Sequence, residues 1–359
     1  MIRAALLLAL LLASPPTWAA PSASRVAALV RGVNITNWFR FPARADAAGI
    51  GAYLGDATME DLRRAGFTFV RLPFDPIFAS SQSGRDLLVA QLRRLHVAGL
   101  AVVLVPASAS WRLEDRAEDR IALIETWRRL APALRGLPPG RVFPEVLNEP
   151  VFPGSQGAWA RLQGEILATI RAALPDNTIV LDGADWSSLA GLEALTPVPD
   201  KDVVYSFHFY DPSELTSLAA YRRDLDVAAL ARLPFPANDS RTCELAGDRA
   251  DATTKAMIDF VCAQHWNGAA IDTRIARAGA WAARHHAAVL LGEFGASSRL
   301  NAPARLAWID TVRAACERAG IGWALWGYDD VMGFDIARPP GSRPKLDRVL
   351  LRALGLRWL

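Results

Sequence analysis

The chain has 359 residues, 52% of them hydrophobic, and 40 basic against 37 acidic side chains leave a formal net charge of +3. The arginines are scattered, the lysines are only Lys201, Lys255 and Lys345, and no run of five or six like charges occurs. This distribution excludes the footprint of a nucleic-acid or anionic-membrane binder.

The first residues read as an export signal. Met1-Ile2-Arg3 is a short positive start, Ala4 to Ala13 is apolar, and Thr17-Trp18-Ala19 ends on a small residue where a signal peptidase can cut. Cleavage is expected after Ala19, because a cut after Ala20 would put Pro21 just past the scissile bond. The apolar run falls short of the roughly 20 residues that span a bilayer. Residues 1–19 are therefore assigned to the signal and 20–359 to one domain, with a secreted or periplasmic destination. No linker, low-complexity tract or short repeat divides the remainder.

Short apolar runs then alternate with longer amphipathic segments, the pattern of βα units on a parallel sheet. The predicted strands are Ala28–Val33, Phe67–Leu72, Ala101–Val105, Val142–Leu147, Thr178–Asp182, Val203–Phe207, Ala288–Leu291 and Ile321–Leu325. The predicted helices between them include Thr58–Ala65, Leu87–Ala98, Arg120–Leu130, Ala158–Ala173, Ile271–His285 and Pro303–Ala319. Gly66, Gly99 and Gly320 each stand where a helix needs a left-handed cap before a strand. Eight such repeats favour a single (β/α)₈ TIM barrel over a doubly wound sheet. An extended loop is expected after strand six, where about 85 residues separate successive strands instead of the roughly 25 to 42 found elsewhere.

That loop, around Asp211 to Trp266, contains Cys243 and Cys262. In an oxidising compartment these two can close a disulfide, leaving Cys316, in a helical pattern, as a buried thiol. The cysteine spacing fits no zinc site.

A barrel puts its chemistry just past the C-terminal ends of its strands, where the loops build one shared mouth. Strand four runs into Leu147-Asn148-Glu149-Pro150, and strand seven into Leu291-Gly292-Glu293-Phe294-Gly295. Carboxylates at those two ends face each other across the mouth. Glycoside hydrolysis needs such a pair, one acid for the leaving oxygen and one carboxylate for the oxocarbenium-like centre. Phosphate-binding loops, dinucleotide fingerprints and nucleophile elbows have no match.

On these residues the chain resembles glycoside hydrolase family 5, the cellulase-type family among the 4/7 barrels, over nearly the whole mature length. The resemblance implies a retaining hydrolase of a β-glucan, endo-β-1,4-glucanase-like, with Glu149 as acid/base and Glu293 as nucleophile. It further implies that Asn148 holds the sugar 2-hydroxyl, that Arg71 bonds the nucleophile and lowers its pKa, and that His208 and Tyr210 form a His-x-Tyr element. Trp326 matches the platform under the sugar at the cleavage subsite. One departure stands out: the histidine that the family usually carries after strand three is replaced by Ala107 or Ser108.

Trp38, Trp111, Trp186 and Trp266 are expected at the mouth or on the long loop, where a tryptophan row binds successive sugars. Trp38 and Trp186 are carried forward as substrate-binding residues. Trp127, Trp159, Trp281 and Trp308 fall on helices and are expected in the core, while Asp185, Asp329 and Asp330 are candidates for sugar hydroxyls. The expected partner is a polysaccharide or oligosaccharide, with no nucleic acid, no membrane after signal removal, no cofactor and no metal, and the protein is expected to be monomeric. A mannanase, a β-1,3-glucanase, a glucan transglycosylase and a catalytically silent carbohydrate-binding barrel are the alternatives.

Overall fold

The computed structural model describes residues 21–337 and 343–357, so the expected signal segment lies outside the described residues. Eight strands are present among them: β1 Arg31–Asn34, β2 Phe69–Phe74, β3 Ala101–Pro106, β4 Val142–Pro144, β5 Ile179–Asp182, β6 Val203–Phe209, β7 Ala288–Phe294 and β8 Gly322–Leu325. All pair in parallel, in the order β4-β3-β2-β1-β8-β7-β6-β5. The seam between β4 and β5 closes through the Glu145–Val180 bridge, reinforced by Val146 N–H donating to Val180 O at 3.0 Å. The result is a (β/α)₈ barrel.

The helix following each strand is α1 Asp56–Ala65, α2 Gln82–Val97, α3 Ala117–Leu134, α4 Gln156–Ala173, α5 Leu189–Glu193, α6 Gly268–His285, α7 Ala302–Arg318 and α8 Arg348–Ala353. Trp127, Trp159, Trp281 and Trp308 are buried on α3, α4, α6 and α7 between the helical ring and the barrel. Of the predicted strand starts Ala28 falls furthest off, as it ends a short helix, Ala23–Ala28, while Phe67, Thr178 and Ile321 precede their strands by one or two residues. No helix among the described residues is long and apolar enough to cross a membrane.

Alternation along the strands stacks the barrel interior in two layers. Phe69, Val103, Phe143, Val180, Val204, Leu290 and Ala324 form an apolar inner cluster. Gly32 permits this packing, because the Phe69 ring fills the space where a Cβ would sit, with a ring carbon 2.2 Å from that position. Two residues further along the strands, side chains on the same face are polar: Arg71, Glu145, Asp182 and Ser206 are all fully buried. The change from apolar to polar layer marks the floor of the mouth.

Between β6 and α6 the chain inserts residues 210–267, with short helices at Ser213–Thr216, Val227–Leu230, Ser240–Gly247 and Ala252–Ala263. A Cys243–Cys262 disulfide ties the last two together, and Cys316 is free and buried.

Candidate active site

Arg71 on β2 organises the floor. A guanidinium has five N–H donors, and here five hydrogen bonds engage it. Nε and Nη2 donate to the two oxygens of Glu145 at 2.7 and 2.6 Å, and Nη2 also donates to Asn148 Oδ1 at 3.0 Å. Nη1 donates to Asn34 Oδ1 at 3.0 Å and to Glu293 Oε1 at 2.6 Å. Burial alone would lower its pKa, but Glu145 and Glu293 raise it above the usual arginine value.

Glu293 is aimed by a local irregularity. In the β6–β7 ladder Phe207 faces Leu291, but His208 faces Glu293, so Gly292 is an extra residue on β7. Such a bulge re-aims the side chain that follows it. Glu293 Oε2 then accepts from Tyr210 Oη at 2.9 Å and lies 3.4 Å from His208 Nδ1.

Glu149 comes from the loop after β4, held where Asn148 N–H donates to Pro106 O at 3.2 Å. Its φ of 47° is left-handed, a strained conformation for a non-glycine residue of the kind that clusters at functional sites. His208 Nδ1 lies 2.9 Å from Glu149 Oε1. One oxygen each of Glu149 and Glu293, with a His208 ring nitrogen, all fall within 4.8 Å of one another. The sequence-predicted Arg71, Asn148, Glu149, His208, Tyr210 and Glu293 are thus brought into one hydrogen-bonded constellation.

Burial raises the Glu149 carboxyl above its ordinary value, against a pull from Arg71 and Arg40. For Glu293 the expected downward pull of Arg71 is present but does not set the net direction. Burial pushes it up, Glu149 adds to the rise, and His208, Arg71 and Tyr210 pull down without reversing it. The physical reason is that Arg71 is shared, since its other edge is already engaged by both oxygens of Glu145. Burial lowers His208 to about 4, so its imidazole is neutral near pH 7. Burial also holds the Tyr210 phenol well above its ordinary value, where it remains a donor to Glu293.

Sequence reasoning missed Asn34, Glu145 and Asp182. Asn34 Nδ2 donates to Gly292 O and Leu325 O at 3.1 and 3.2 Å, so it ties β1 to β7 and β8 beside Glu293. Asp182 is buried beside Glu145, and burial holds it well above the carboxylate range. The available signal was period two: Glu145 follows Phe143, and Asp182 follows Val180, on inward-facing strand positions.

The aromatics divide. Trp326 is half-buried and lines the cleft with Tyr210. Trp186 is 56% exposed, and its backbone N–H donates to Pro150 O at 3.1 Å, beside the Glu149 loop. Trp38 corrects the expectation of a sugar platform: it is fully buried, its indole N–H donates to Ile50 O at 2.9 Å, and its face stacks on Tyr53. Both faces and the donor are spent on packing. Trp266 is buried under the Arg274 guanidinium, and Trp111 is half-buried against the core. Asp329 is also buried and accepts from Thr36 N, Asn37 N and Tyr53 Oη, so it organises the loop after β1.

Two sets of donors come close enough to hold a metal, Glu145-Asp182-His208 and Glu149-His208-Glu293. Arg71 already engages both oxygens of Glu145, and Arg71 and Tyr210 engage those of Glu293, so these donors serve a hydrogen-bond network. At the strand-three position that lacks the histidine, Ala107 is buried and Ser108 Oγ bonds Ser110 Oγ at 3.0 Å.

A family model described as cellulase (glycosyl hydrolase family 5) matches residues 30–330. The chain is 26% identical over 332 residues to Endoglucanase 3 of Fibrobacter succinogenes, an alignment covering 84% of this chain and 49% of that protein. It therefore spans about half the length of that relative. It is 23% identical over 322 residues to Endoglucanase C of Acetivibrio thermocellus, covering 85% of this chain and 92% of the relative. Its fold is similar to that of endoglucanase Cel5A from Thermotoga maritima, with a TM-score of 0.73, 22% identity, and coverage of 92% and 98% of the two chains.

Proposed function

The chain belongs to glycosyl hydrolase family 5, and from that premise we propose that it hydrolyses the β-glycosidic bonds of a glucan, β-1,4 chains first, with retention at the anomeric carbon. The observation that carries this reading is the approach of Glu149 and Glu293 oxygens to within 4.8 Å. Retaining pairs stand about 5–5.5 Å apart, whereas inverting pairs need roughly 6.5–9.5 Å to admit a water between carboxylate and sugar.

In the first step Glu149, whose carboxyl burial shifts toward the protonated form, donates its proton to the leaving oxygen while the Glu293 carboxylate attacks the anomeric carbon. Glu293 forms one C–O bond as the glycosidic C–O bond breaks. Arg71 and Tyr210 hold its two oxygens in line, and the Tyr210 hydrogen bond loosens as the carboxylate charge disappears into the ester. In the second step the Glu149 carboxylate takes a proton from water, which displaces Glu293 from the sugar. Neutral His208 beside both carboxylates neither adds a charge nor competes as an acid. Asn148, whose Oδ1 is engaged by Arg71, keeps its amide nitrogen for the sugar 2-hydroxyl, and Trp326 and exposed Trp186 offer ring faces to pyranose C–H edges.

Export of the chain, with removal of residues 1–19, is part of the same proposal. The decisive experiment is proton NMR of fresh hydrolysis products from a soluble β-1,4-glucan. A β-anomer as first product supports double displacement, and an α-anomer would remove Glu293 from the nucleophile role. Mannan is the second polymer to test, since Cel5A of Thermotoga maritima has also been captured with mannotriose.

A further inference from the structure

A cavity of about 870 Å³ opens beside the catalytic constellation, with Tyr210 and Trp326 in its wall. Its volume falls within the roughly 300–1,000 Å³ of small-molecule sites. Its lining is also arginine-rich: Arg222 and Arg223 come from the insertion after β6, and Arg299 from the loop after β7. Arg222 is neutralised, with Nε donating to Asp224 at 2.7 Å. Arg223 and Arg299 are both exposed, and among the described residues neither guanidinium has a carboxylate or any other acceptor. Asp330 is the acid among the lining residues; its charge reaches Tyr210, and its Oδ1 accepts from Met332 N at 2.8 Å.

A further guanidinium stands on the β1 side of the mouth. Arg40 feels the charges of both Glu149 and Glu293, lies against the Phe41 ring at 4.9 Å, and keeps its Nε buried without an acceptor. Neutral sugars supply hydroxyls, which do not require unpaired cations around the cleft. An anionic sugar does, and a guanidinium fork matches a carboxylate in geometry as well as charge. In a β-linked hexopyranose the carboxylate fits at C6, where it leaves the ring hydroxyls and the scissile bond unchanged.

Resting on the glycosidase reading above, we propose that this cavity binds a carboxylate-bearing sugar unit of the glycan through Arg223 and Arg299. The natural substrate is then an acidic β-glycan, and the insertion after β6 is its specificity element. Trp326 supports the pyranose face while the two arginines take the C6 carboxylate.

The test compares soluble hydroxyethyl cellulose with cellulose partly oxidised at C6 to glucuronate units. Wild-type kcat/KM on the oxidised polymer is expected to be higher by about tenfold at low ionic strength, the preference shrinking as salt screens the exposed arginines. In Arg223→Gln/Arg299→Gln the loss on the oxidised polymer is expected to exceed the loss on the neutral one by about the same factor. Equal wild-type kcat/KM on the two polymers, or equal losses in the double variant, would overturn the assignment. Cleavage of cellulose sulfate as fast as the oxidised polymer would overturn the carboxylate as the group recognised. An aryl β-glycoside separates the two levels of argument: its turnover without acidic preference sinks this inference alone, and its complete failure sinks the glycosidase reading as well.

Discussion

Arg71 shows how one side chain sets the protonation of a whole site. Its single charge is divided between Glu145 and Glu293, and Arg40 is the further cation whose charge reaches Glu149 and Glu293. Burial makes ionising both Glu149 and Glu293 costly, and their carboxyls are both raised. The two lie close enough to titrate as a pair. The proposed double displacement requires Glu293 ionised and Glu149 protonated, so on that reading kcat/KM should follow a bell whose limbs both lie above the ordinary carboxyl value of 4.5. With a dinitrophenyl glycoside, Glu149→Ala should lose the alkaline limb, because that leaving group departs without a proton. Its glycosyl-enzyme should accumulate for want of a base, and azide should restore turnover as the β-glycosyl azide. Glu293→Ala should give the α-azide, since the nucleophile now enters from the vacated face. The same azide anomer from both variants would contradict the division of roles.

The bulge on β7 carries this chemistry at the level of the element. A Cβ on Gly292 would stand 2.6 Å from Ser206 Oγ and 3.2 Å from His208 Nε2. Gly292→Ala should therefore displace His208, cutting kcat and costing about 1–3 kcal/mol of stability through overpacking. Ser206→Ala in the same chain removes the closer contact and should recover part of both losses. Denaturation curves and kcat for the two variants decide the matter, and a double variant no better than Gly292→Ala would place the constraint elsewhere. Ser206 also eases the buried Asp182 carboxyl downward, so Ser206→Ala alone is the control against which the double variant is read.

For the whole molecule, the disulfide and the expected leader point to the same compartment. Cys243 and Cys262 are joined within the insertion, and chain-entropy reasoning assigns a loop of this length about 3 kcal/mol. Exported protein should begin at or near Ala20 and show one free thiol per chain on denaturation without reductant, from Cys316. Protein kept in a reducing cytoplasm should show three. N-terminal sequencing that still reads Met1 in exported material would remove the leader from the proposal, and three thiols there would remove the disulfide.

The sequence alone determined the eight βα repeats and the positions of Glu149 and Glu293, because strand period, helix caps and strand-end motifs are local signals. It also located the long insertion, since the excess spacing after the sixth strand has no other reading in a barrel. Only the tertiary structure decided which polar residues lie beneath the pair. Asn34 ends β1, Asp182 ends β5 and Glu145 directly follows β4, so they meet only when the barrel closes. Trp38 and Trp186 look alike as residues following strands. One is enclosed by Tyr53 and the other left open beside Pro150, because burial depends on what distant segments bring to each face. The sign of the Glu293 shift has the same origin: Arg71 was legible in the sequence, but its engagement by Glu145 and the burial of the pair emerge from packing.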